Sequence, residues 1–243
     1  MKYINESVMS GLDAAAFQQQ RPYPWLAIRE GFLTADGFPR LADRCRSRSW
    51  FDKRFGEAQA RPGAARPSGA GIRPDLPLAQ PWRELSTNSA ALRIEAFSER
   101  MFGRRALRLI LHWHYTPNGC SVSPHCDARR KLGSHIFYFN TDKNWQPDWG
   151  GETLHPRRQR PLSRRFGAQV RGLRPGHAGQ GHRQFQLCCS MRRERSWHGA
   201  KEITLPARSL AQGVHRVVIE DWDLKASVKS LLRGTQEPLL TAL

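Results

Sequence analysis

Residues 112–140 read HWHYTPNGCSVSPHCDARRKLGSHIFYFN. Upstream, the run ending at Tyr115 alternates, with Leu107, Leu109, Leu111, Trp113 and Tyr115 on one face and Arg108, Ile110, His112 and His114 on the other. That period of two predicts a β-strand. Downstream, the alternation resumes and divides Ser134, Ile136 and Tyr138 from His135, Phe137 and Phe139. Between the two strands stand His125 and Asp127. On extended backbone they point the same way while Cys126 faces away, so an imidazole and a carboxylate can grip one metal ion. Two ligands do not hold a metal, and a third donor must come from elsewhere in the chain. His198, in the late stretch SWHG, lies on a predicted strand that antiparallel folding can bring alongside. Two His and one carboxylate occupy one face of an octahedral metal and leave three positions open.

The surrounding chain fits a β-rich domain. At 243 residues, with 16 Pro, 20 Gly and 8 Trp, it is long enough for one large core and rich in turn formers. RPYPWLAIREGFLTADGF predicts a short strand at Trp25–Ile28 and a helix starting near Thr34, whose hydroxyl can cap it. DWGGETL predicts a Gly-Gly bend running into another strand, ERSWHGAKEI and VHRVVIEDW two late strands, and DLKASVKSLLRG a C-terminal helix. The expected organisation is an N-terminal support region over 1–100, a core over 101–225 and a helical tail over 226–243. No stretch is long and apolar enough to span a membrane and the start lacks a signal-peptide core, so a cytoplasmic protein is expected. Five Cys without paired spacing are expected to stay reduced.

The formal charge of +18 arises from 39 Lys and Arg against 21 Asp and Glu, a balance that raises the odds of a nucleic-acid partner. It is unevenly placed, with no acidic residue between Thr153 and Arg193. The Arg-rich tract lacks the interleaved aromatics of a single-strand binder, so nucleic acid is the alternative partner and not the expected one. A stretch from about 155 to 192, with no sustained apolar period, is expected to be the least packed part of the domain. The Ala-, Arg-, Gly- and Pro-rich tract at 59–72 likewise has almost nothing to pack.

Taken together, Tyr115, His125 with Asp127, Tyr138 with Asn140, Trp145, Gly150 with Gly151 and Leu154, and finally His198 resemble the Fe(II)- and 2-oxoglutarate-dependent dioxygenases of the prolyl 4-hydroxylase-like superfamily. The resemblance covers about 106–154 and 194–202. It implies a mainly β fold with flanking helices, a double-stranded β-helix or jelly roll. It implies Fe(II) held by His125, Asp127 and His198, 2-oxoglutarate as cosubstrate and O2, with hydroxylation of a prolyl side chain or a small molecule. Tyr115 and Tyr138 would donate to the cosubstrate's carboxylates. A basic anchor for the far carboxylate is expected ten to fourteen residues past the distal His, which favours Arg208 over Arg216.

The strand carrying that anchor departs from the family's usual Arg-Lys followed by β-branched and aromatic residues. Read one nucleotide late, codons for Ala211–Val217 can spell Arg-Lys-Val-Phe-Ile-Val, and similar shifts restore acidic and apolar residues to 155–160 and 168–174. A frameshifted oxygenase that binds metal without turnover is therefore a second alternative, and it predicts a weakened strand in the larger sheet.

Overall fold

The computed structural model describes residues 2–21, 23–44, 68–71, 79–85, 88–104, 107–156, 173–175, 184–190, 196–209 and 213–223. The N-terminal part supplies α1 (Glu6–Gly11), α2 (Ala14–Gln19), β1 (Trp25–Ile28), α3 (Gly37–Arg44), β2 (Ser68–Gly71), α4 (Gln80–Leu85) and α5 (Asn88–Phe102). Eight strands follow: β3 (Leu107–Pro117), β4 (Val122–His125), β5 (Lys131–Tyr138), β6 (Thr153–Pro156), β7 (Leu173–Pro175), β8 (Phe185–Cys189), β9 (His198–Ala200) and β10 (Gly213–Asp223). The expected C-terminal helix lies outside the described residues. Among those described, no helix is long and apolar enough to cross a membrane.

Side-chain caps start the short helices. Asn5 accepts from the Val8 amide, Asp13 from Ala16 and Thr34 from Gly37, so Thr34 does open its helix, though the helical turns begin at Gly37.

Strand order carries the architecture. The larger sheet runs β1-β8-β5-β10-β3-β2 and the smaller one β4-β9-β6-β7. Counting β3 to β10 as first to eighth, the larger sheet holds the sixth, third, eighth and first, and the smaller the second, seventh, fourth and fifth. Successive hairpins are thus wound across two facing sheets, which makes the chain a double-stranded β-helix. β1 and β2 extend the larger sheet at its two edges.

Alternation along the strands separates two apolar clusters. Phe137, Phe185, Leu187, Val217 and Ile219 project from one face of the larger sheet into the main core, where they meet Phe32, Ile94, Phe97 and Met101. The stacked rings of Phe32 and Phe185 have centroids 3.6 Å apart. On the opposite face Tyr138 and Val214 pack with Trp145, Ile203 and Leu205.

The main core also buries a polar group. His135 on β5 and Asp221 on β10 are almost fully enclosed, with His135 Nε2 3.0 Å from Asp221 Oδ2 and 3.3 Å from Oδ1. Ser98 Oγ lies 2.8 Å from the same Nε2 and gives its own proton to the Ile94 carbonyl, so Nε2 is the donor to both partners.

Two expectations are corrected. Phe185–Cys189, inside the stretch expected to pack least, is a wholly buried strand paired with both β1 and β5. Its alternation explains why: Phe185, Leu187 and Cys189 join the main core, while Gln186 and Cys188 face the other way. The rest of 157–183 apart from β7, and 191–195, lie outside the described residues. The strand expected to be weakened, β10, is continuous over eleven residues and paired with β3 and β5, its Val214, Val217 and Ile219 all buried. Of the 59–72 tract, Ser68–Gly71 adds a backbone-paired edge to β3 and the remainder lies outside the described residues.

The predicted Gly-Gly bend has a steric cause. Gly150 has φ 87° and Gly151 φ 78°, both in the left-handed region, and a Cβ on Gly150 would sit 1.9 Å from the Glu202 carbonyl oxygen. Gly150→Ala is expected to cost about 2–3 kcal/mol, from backbone strain and overpacking together. Urea unfolding of the variant beside the parent checks this.

Candidate metal centre

β4 ends at His125 and β9 begins at His198, and these two residues are directly paired across the smaller sheet. Their ring centroids are 4.4 Å apart. Asp127 stands just past the end of β4, in the connection to β5, and not on the strand itself. Its carboxylate nonetheless turns back toward both rings: His125 Nε2 is 4.0 Å from Oδ1 and His198 Nε2 is 3.8 Å from Oδ2. One donor atom from each of the three residues falls within 4.8 Å of the others. The expected trio is therefore brought together.

Two of the three donors, His198 and Asp127, are oriented from behind. His198 Nδ1 lies 2.9 Å from the Ser196 carbonyl, which can only accept, so the proton sits on Nδ1 and the lone pair on Nε2 faces Asp127. Burial lowers the pKa of His198 despite the nearby carboxylate, which keeps the ring neutral and able to donate. For Asp127, burial pushes the pKa up, but Lys131, His198 and the Ser190 hydroxyl pull harder and leave it below its ordinary value. Lys131 Nζ is 3.1 Å from Oδ1, and Ser190 Oγ donates to Oδ2 at 2.6 Å. Lys131 Nζ also reaches Glu220 Oε1 at 2.8 Å, and Glu220 Oε2 accepts from Trp222 Nε1 at 3.0 Å. The His125 side chain is 43% exposed against 11% for Asp127, so the trio opens to solvent on the His125 side.

The other expected site residues divide by strand register. Arg216 pairs with Tyr138 on one side and His114 on the other, and directly opposed side chains share a face. Tyr115 pairs with His215 instead, so it lies on the alternate face and not with Tyr138. This corrects the expected pairing of the two phenols, and it puts His114 where Tyr115 was expected. The signal was present in the sequence, because Tyr115 alternates in phase with the leucines that enter the main core.

Tyr138 is buried; its hydroxyl donates to Gln186 Oε1 at 3.1 Å and lies 3.2 Å from Thr153 Oγ1. Arg216 donates to Thr116 Oγ1 at 2.7 Å, and its buried Nε has no hydrogen-bond partner among the described residues. Arg208 falls in a single 3₁₀ turn, Ala207–Ser209, ahead of β10 and not on a strand. Lys131, Ser190, Glu220, Gln186 and Thr153 were not anticipated.

No family profile and no curated protein matches the chain. Solved structures do. A prolyl-4-hydroxylase from Pseudomonas putida superposes with a TM-score of 0.51 at 19% identity, over 86% of this chain and 98% of that one. A prolyl hydroxylase from Trichoplax adhaerens, in complex with a hypoxia-inducible-factor oxygen-degradation-domain peptide fragment, gives 0.59 at 14% identity over 93% of both chains. The epimerase SnoN, in complex with Fe3+, α-ketoglutarate and nogalamycin RO, gives 0.54 at 15% identity over 90% of this chain and 85% of that one. At these identities the likeness establishes the fold alone: the chain adopts the double-stranded β-helix that these structures share.

Proposed function

We propose that the protein is an Fe(II)- and 2-oxoglutarate-dependent dioxygenase that hydroxylates a C–H bond of a prolyl residue or a small molecule. The observation carrying this reading is the convergence of His125, Asp127 and His198 donor atoms within 4.8 Å, at the facing ends of two paired strands in this fold. Two imidazoles and one carboxylate suit a divalent iron and leave coordination positions for cosubstrate and O2. Structures sharing the fold hold Fe3+ with α-ketoglutarate, or nickel with 2-oxoglutarate, which supports the same cofactors here. When bound, the iron and 2-oxoglutarate supply the oxidising chemistry; the chain's own part is to bind, orient and exclude water.

Arg216 is the better candidate for the cosubstrate anchor. Its register beside Tyr138 and its unpartnered, buried Nε leave a donor ready for a carboxylate. Tyr138 would turn its hydroxyl from Gln186 toward the same anion. Arg216→Ala is expected to raise the 2-oxoglutarate concentration needed for half-maximal binding ten- to a hundredfold, about 1.5–3 kcal/mol for a charge-assisted bond. Arg208→Ala is expected to leave it within about twofold, well below the effect of a charge-assisted bond. Titration of the Fe(II)-loaded protein under argon, read from the metal-to-cosubstrate absorption band, separates the two.

The reading as a whole is tested by succinate release from 2-oxoglutarate with Fe(II) and O2, over a panel of prolyl peptides and cyclic small molecules. Substrate-stimulated release supports it. A protein that binds neither Fe(II) nor Co(II) overturns it. Peptide and small-molecule substrates are both represented among proteins of this fold.

A further inference from the structure

We infer that Lys131 is the positioning residue of the metal centre, holding Asp127 in its ligating orientation, and that Glu220 sets how much of the lysine's charge Asp127 feels. This rests on the proposal that the trio binds a metal. An aspartate has two free torsions, and as the second residue beyond β4 Asp127 is not fixed by strand pairing. Something else must fix it. Ser190 fastens Oδ2, Lys131 fastens Oδ1, and Ser196 ties this arrangement to the third donor by accepting from His198 Nδ1 through its carbonyl while its hydroxyl donates to the Ser190 carbonyl at 3.3 Å. The carboxylate is thus aimed before any ion arrives.

A cation beside a metal ligand carries a penalty, because it repels the incoming divalent ion. The geometry offsets this penalty. Lys131 Nζ sits between two carboxylates, 3.1 Å from Asp127 and 2.8 Å from Glu220, and all three side chains are largely enclosed. Asp127, Lys131 and Glu220 together carry one net negative formal charge, so the group behind the donors still presents an anion to the metal. Glu220 is itself held by Trp222 Nε1, which keeps it turned toward the lysine. Exposed ion pairs contribute almost nothing, whereas this one is shielded and shared, the setting in which groups behind a ligand alter metal affinity tenfold to a hundredfold.

The test is Co(II) binding to the full chain under argon, read from its visible bands, with Mn(II) binding by paramagnetic resonance in parallel. Lys131→Met is expected to weaken Co(II) binding ten- to a hundredfold and change the band shape, with Lys131→Arg restoring most of both. Glu220→Gln is expected to weaken binding at least about fivefold by acting through Lys131, because the lysine's charge then falls on Asp127 alone. A purely structural role would lower the unfolding temperature of the metal-free protein and leave affinity and bands unchanged. That outcome overturns the inference while leaving the metal reading intact. Failure of the parent chain to bind Co(II) or Mn(II) overturns both.

Discussion

Asp127→Ala is expected to remove metal binding almost entirely, with an affinity loss of well over about a hundredfold, beyond the range seen when only supporting groups are changed. Two effects add. The trio loses its only anionic donor, leaving two imidazoles that cannot enclose one face of an ion. The substitution also strips Lys131 of one of its two carboxylate partners, so a cation is left bordering the vacant position. Asp127→Asn keeps the shape but not the charge and should fall between the alanine variant and the parent. Calorimetric titration with Co(II) measures all three, and an alanine variant within tenfold of the parent would show that Asp127 is not a ligand.

The same carboxylate has a signature without metal. Its pKa is depressed in the folded protein, so its contribution to stability is present above the ordinary carboxyl value of 3.8 and is lost as pH falls through the lower folded value. Asp127→Ala should therefore flatten the acid side of the stability profile of the metal-free protein.

Asp221→Ala is expected to destabilise the fold by about 3–5 kcal/mol, because it leaves a protonated His135 nitrogen enclosed with only Ser98 to receive it. Asp221 and His135 are cross-strand diagonal neighbours on β10 and β5, and Ser98 joins them from α5, so the cluster fastens the helix layer to the larger sheet. Removing both polar groups at once should behave differently. The His135→Leu, Asp221→Leu double variant fills the space with apolar groups and should recover most of the loss, since a buried pair gains little over a well-packed apolar replacement. Urea unfolding of parent, single and double variants decides it; a single variant costing under about 1 kcal/mol would mean the two groups are not a mutually dependent buried cluster.

Local pattern made most of the strands legible. Leu107–Tyr115 and Ser134–Phe139 alternate cleanly because each lies between a hydrophobic core and a second face, which imprints a period of two. The trio was legible for a related reason: His125 and Asp127 are two residues apart, and His198 stands on a late strand. What escaped depends on register. Whether Arg208 or Arg216 reaches the barrel interior cannot be counted from His198, because the turn through Ala207–Ser209 changes the strand's starting point. Tyr115 and Tyr138 look alike in sequence, yet pairing with β10 sends them to opposite faces. Lys131 and Ser190 meet at Asp127 only after β5 and β8 pair through Gly133 and Cys189. The strand β8 was hidden by its surroundings, since five buried residues beside an Arg-rich tract give a short signal in a polar background.

The direct pairing of His125 with His198 also bears on the order in which the molecule is made. These histidines belong to the second and seventh strands of the winding, so their meeting closes a loop containing most of the barrel. Closing so long a loop is entropically costly and must await the intervening strands, which places the trio's assembly late in folding. An ion captured there acts as a clasp on a finished ring. It should slow the reopening of β4 and β9 far more than it speeds folding, and amide exchange at Val122 and Ala200 should report the ion's arrival more sharply than exchange anywhere in the helix-covered core.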